Sequence, residues 1–93
     1  MRNRNKRVVC ADKFSMSVQA NCGAYCEPRE DGATEYTEVE VGYPSEREPY
    51  LMDWAESPDR PTDTVYGYVP SQIVRQVIER HGGMVEGEVP PGV

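Results

Sequence analysis

Few side chains in this sequence can make or break bonds. Its 93 residues include three cysteines, Cys10, Cys22 and Cys26, and one histidine, His81. Cys22-x-x-x-Cys26 with His81 offers three donors of the kind a structural zinc site uses, but neither a fourth ligand nor a second close pair accompanies them. Three free thiols are therefore expected, with no metal and no cofactor, and the odd count without a secretion signal argues for a reducing compartment. His81 closes a helical pattern, and spacing places no nucleophile beside it, so a structural role is expected and no catalytic residue is assigned. The remaining chemistry belongs to carboxylates. Glu38 and Glu40 share one face of a strand pattern about 7 Å apart. That separation suits paired-carboxylate or metal chemistry, but a solvated face is the simpler reading.

Charge is unevenly distributed over a chain of net charge −6. Residues 1–13 hold five basic side chains against Asp12 alone. Between Glu27 and Asp63 twelve acids, among them Glu27, Glu30, Asp31, Glu35, Glu38 and Glu40, face only Arg29, Arg47 and Arg60. A negative block of this size argues against direct nucleic-acid binding and for a partner whose own surface is basic. The bland alternative is a face that keeps the protein in solution. No apolar run approaches the ~20 residues of a membrane span. No apolar segment follows the basic start, so a cytoplasmic protein without a signal peptide is expected.

The elements that must position these groups follow from periodicity. The chain reads as one domain, 1–93, with a flexible basic arm at 1–6 and a loose tail at 86–93. Arg7–Cys10 and Phe14–Ala20 read as strands joined by a tight turn at Ala11-Asp12-Lys13. Phe14, Met16, Val18 and Ala20 fall on the core face of the second. Residues 21–33 form a loop whose one large apolar group, Tyr25, holds it loosely. In Glu35–Tyr43 the residues Thr37, Val39, Val41 and Tyr43 point inward, while Tyr36, Glu38 and Glu40 point outward. Ser45 and Glu48 form a capping-box pattern ahead of a short helix with Tyr50, Leu51, Met52, Trp54 and Ala55. On an α-helix Tyr50 and Trp54 are neighbours, so this helix is either a lid over the core or an aromatic surface for a partner.

Thr64–Val69 is the clearest strand. Val65, Gly67 and Val69 share one of its faces, and Gly67 leaves room for a close approach. A helix follows from about Pro70 to His81, with Ile73, Val74, Val77 and Ile78 as its apolar stripe and Gly82-Gly83 as its stop. The expected fold is α+β: an antiparallel or mixed sheet of about four strands, one long C-terminal helix on a face, and a short helix before the last strand.

The phrases VVCADKFSMSVQA, YTEVEVGYPS and TVYGYVPSQIVRQVIERHGG resemble small proteins encoded by bacteriophages and prophages. The resemblance implies a phage setting, where small acidic single-domain proteins, anti-CRISPR proteins among them, bind and inhibit host defence proteins that handle nucleic acid. It carries no catalytic motif. The expected partner is a host protein with a basic nucleic-acid-binding surface. Candidate contacts are Glu27, Glu30, Asp31, Glu35, Glu38, Glu40, Tyr50 and Trp54. The alternative is a homodimeric accessory or virion-associated protein, joined through a sheet edge or the Tyr50/Trp54 surface.

Overall fold

The structure, a computed structural model, describes residues 4–93. One antiparallel sheet runs in the order β4-β3-β2-β1-β5, with β1 at Val8–Cys10, β2 at Ser15–Gln19, β3 at Glu38–Gly42, β4 at Val65–Pro70 and β5 at Met84–Glu86. The meander β1 to β4 pairs strands that are neighbours in sequence. β1 and β2 meet in a turn where Asp12 Oδ1 accepts the Phe14 N–H at 2.9 Å and Lys13 takes a positive φ. Val8, Phe14, Met16, Val18, Val39 and Val41 alternate into the core as their period of two requires.

β4 departs from strict alternation. Val39 pairs with Val69 but Val41 pairs with Tyr66, so three steps on β4 span two on β3. The extra residue makes a bulge at Gly67-Tyr68, where Tyr68 sits at φ 56. The bulge turns both Tyr66 and Val69 into the core and swings the Tyr68 ring out to solvent.

Helix α1 spans Ser71–Arg80, ten residues, and buries Val74 and Val77 while Ile73 and Ile78 are half-buried. It is neither long nor C-terminal. Gly82 N–H bonds to Glu79 O at 3.0 Å and Gly83 N–H to Ile78 O at 2.9 Å, closing the helix with two left-handed glycines. The chain then reverses into β5, a fifth strand that pairs with β1.

Several other expectations are corrected. Tyr36 is buried, because its hydroxyl donates to Glu30 O at 2.7 Å and the C-terminal segment covers its backbone, whereas Tyr43 lies beyond the end of β3 at φ 50 and is exposed. Residues 86–93 are tied down. Tyr36 N–H donates to Pro91 O at 2.9 Å, Arg75 reaches Gly92 O, and Pro90 is buried. Part of the basic arm, residues 1–3, lies outside the described residues. Asn5 exchanges hydrogen bonds with the buried Gln19, and Lys6 N–H bonds to Glu88 Oε1 at 2.8 Å. Among the described residues no helix is long and apolar enough to cross a membrane.

Candidate functional site

The acidic residues gather because the loop 21–33 is anchored against the sheet. Glu27 N–H donates to Glu38 O at 3.0 Å and Thr37 N–H to Glu27 O at 2.9 Å, so Glu27 stands directly opposite Glu38. Residues opposed in an antiparallel pair share a face, and Glu40 lies on that face two residues along β3. Glu27 is exposed, while Glu38 and Glu40 are half-buried. Glu40 also braces the loop, since its Oε2 accepts the Tyr25 N–H at 3.1 Å. Ala24 and Cys26 flank Tyr25 and point into the core. Tyr25 O takes the Tyr68 N–H at 2.9 Å, and the Tyr25 side chain lies over Gly67. Gly67 thus admits a close approach, by an aromatic side chain of the loop. The loop is held by these contacts rather than loosely.

Beside the carboxylates lies an aromatic cleft of about 270 Å³, walled by Tyr25, Trp54, Glu56, Gly67 and Tyr68. Trp54 belongs to it and Tyr50 does not. The segment Pro49–Trp54 is a 3-10 helix, in which residues four apart diverge by about 120° instead of the ~40° of an α-helix. Tyr50 therefore faces Arg80, whose guanidinium lies 4.6 Å from its ring centroid. Leu51, buried, holds this short helix on the core. Glu30, Asp31 and Glu35 are exposed around the loop; Asp31 Oδ1 accepts the Cys22 N–H at 3.0 Å. Sequence reasoning missed Tyr68, whose outward turn depends on the bulge, and read Tyr25 only as a weak anchor.

A second cluster was invisible to spacing. Glu48, 1% exposed, is the N-cap of the 3-10 helix, and its Oε2 accepts the Tyr50 N–H at 2.8 Å. Ser45, expected as that cap, instead pairs with Ser15 of β2. Glu48 Oε1 lies 2.7 Å from His81 Nε2 and 3.3 Å from Arg80 Nε, and Asp12 Oδ2 lies 2.6 Å from His81 Nδ1. Ionised carboxylates only accept, so the two contacts are satisfied together when both ring nitrogens carry protons, in the imidazolium form. Its ring stacks on Phe14, with centroids 4.1 Å apart.

Burial alone would lower the His81 pKa, but the bonds to Asp12 and Glu48 raise it above the ordinary imidazole value. Burial pushes the Glu48 carboxyl up, yet the Tyr50 N–H, His81 and Arg80 together hold it below the usual range. The Phe14 N–H and then His81 lower Asp12. In that form both nitrogens are committed to carboxylates and the ring has no lone pair to act as a base or a ligand. The cluster is a clamp joining the β1–β2 turn, the 3-10 helix and the end of α1.

Cys10, Cys22 and Cys26 are unbridged. Burial raises the thiols of Cys10 and Cys26, and Cys26 Sγ faces Asn21 O at 3.3 Å. Among the described residues no three His, Cys, Asp or Glu side chains gather in a metal-binding arrangement. Comparison with protein-family models, curated proteins and solved structures returns no match.

Proposed function

We propose that this chain is a non-enzymatic binding protein that occupies the basic, nucleic-acid-handling surface of a host protein and so inhibits it, as a phage-encoded anti-CRISPR-type inhibitor in the host cytoplasm does. The observation that carries this reading is the pairing of the 21–33 loop with β3, which sets Glu27, Glu38 and Glu40 on one face beside the rings of Tyr25 and Tyr68. Fixed carboxylates compete for the positive potential that binds phosphates. Aromatic rings next to them supply contact area at low entropic cost. A second reading, a homodimer, is favoured by the edge strand β5, where Met84 is exposed and Val85 is 62% exposed.

The test is capture of proteins from a bacterial lysate on the immobilised chain, followed by competition with duplex DNA. Glu27→Lys with Glu38→Lys reverses the charge of the face and leaves Glu40 to hold the loop. A nucleic-acid-handling protein should be retained at about 0.1 M salt, displaced by DNA, and lost with the double variant. Equal capture and equal salt dependence for wild type and variant would refute the acidic-face reading. A dimer mass by light scattering that is lost on Val85→Lys would favour the second.

A further inference from the structure

The geometry points to the Tyr25–Trp54–Tyr68 cleft as an arginine pocket, which takes the guanidinium of a partner protein's side chain. This deepens the proposed binding to a basic surface and rests on it. The cleft joins features that suit a flat organic cation. The Tyr25 and Tyr68 rings stand 5.9 Å apart and are tilted by 33°, and the indole of Trp54 completes the wall. Ring faces are negative, so aromatic walls attract cations that neutral apolar walls would not. Gly67 also lines the cleft, and its lack of a side chain lets Tyr25 approach, since a Cβ there would stand 3.2 Å from Tyr25 Cβ. Glu56 lies on the rim, exposed, and enters none of the ion pairs among the described residues.

The backbone is shaped toward this arrangement. Tyr68 occupies the left-handed region at φ 56, an unusual place for a bulky residue, and such outliers concentrate at ligand clamps. A regular strand would instead direct its ring along the ordinary alternation of β4. The Tyr25 ring already accepts a guanidinium: Arg29 lies 5.4 Å from its centroid, and Arg29 does not line the cleft.

Arginine fits better than an ammonium group for a geometric reason. Two tilted rings form an open wedge, not a box closed around a sphere. A guanidinium lays its weakly hydrated face on a ring and turns its N–H edge to a carboxylate, here Glu56, in a two-pronged bond. An ammonium would keep much of its water in so open a site.

Trp54 is the only tryptophan of the chain, so its fluorescence reports on the wall of the cleft. The full chain is titrated with acetyl-Gly-Arg-Gly-amide, with its citrulline and lysine counterparts, and with tetramethylammonium. The arginine peptide should give a saturable change and the neutral citrulline peptide none. Glu56→Gln should raise the midpoint about threefold. Tyr68→Asn, which removes the ring with a residue that tolerates a positive φ, should raise it about threefold. Absence of a saturable change, an equal response to citrulline, tighter binding of either ammonium probe, or indifference to both substitutions would overturn the assignment. A silent arginine titration with a chain that still captures a nucleic-acid-handling protein sinks the pocket alone. Arginine binding without any such capture supports the pocket and refutes the broader reading.

Discussion

Replacing His81 by leucine tests whether the Asp12–His81–Glu48 clamp holds the fold together. The substitution removes a charge-assisted hydrogen bond to the buried Glu48, a contribution of about 1.5–3 kcal/mol. It also removes the stacking on Phe14, about 0.5–1.5 kcal/mol, part of which leucine restores by burial. Asp12 is half-exposed at its end of the ring and adds little. Glu48 keeps Arg80 and the Tyr50 N–H, so its charge is not stranded. The expected loss is about 2–4 kcal/mol, which for a domain of this size is a fall in Tm of about 10–25 °C.

The pH dependence adds a signature that mere loss of packing lacks. The His81 pKa is raised in the folded state, so its contribution is complete below the ordinary imidazole value of ~6.5 and is lost as pH rises through the folded value. The carboxyls of Glu48 and Asp12 are lowered, so theirs is present above the ordinary carboxyl values and lost as pH falls through the folded ones. Circular-dichroism melts of wild type and His81→Leu at about pH 5.5, 7 and 9 give the difference directly. Cys10, whose buried thiol lies near Asp12, is common to both chains and cancels. The gap in Tm should be widest near pH 5.5 and narrow toward pH 9. A gap under about 3 °C, or one that does not change with pH, would refute the imidazolium clamp.

Three further outcomes are expected. Val77, fully buried on α1, should not tolerate aspartate: Val77→Asp places an unpaired charge in the core, and cooperative melting should vanish. Gly87→Ala should destabilise by more than about 2 kcal/mol in urea unfolding, because Gly87 sits at φ 105 and a Cβ there would run into the Arg7 carbonyl; an unchanged midpoint would mean that the chain beyond β5 is not packed on β1. A thiol reagent without reductant should react at once with the exposed Cys22, slowly with Cys10 and Cys26, and with all three after denaturation; stoichiometric zinc or a single reactive thiol would count against this.

Local pattern was enough for the parts of this protein whose environment is set by near neighbours in sequence. The alternation of Phe14, Met16 and Val18, the stripe of Val74 and Val77 and the Gly82-Gly83 stop all act through periods of two or 3.6, or through a left-handed residue. Acidic residues near one another in sequence were also legible, and Glu38 and Glu40 do share a face. Tertiary structure alone decided the rest. A bulge at Gly67-Tyr68 shifts the inward set from Val65/Val69 to Tyr66/Val69, and nothing in the residue types marks where an extra residue will enter a ladder. A 3-10 rather than an α geometry separates Tyr50 from Trp54, and no residue type in Pro49–Trp54 marks that choice. The clamp itself joins His81 to residues 33 and 69 positions away in the chain. Charge pairs at such separations leave no periodic trace, and only the closing of the sheet brings β1's turn to the end of α1.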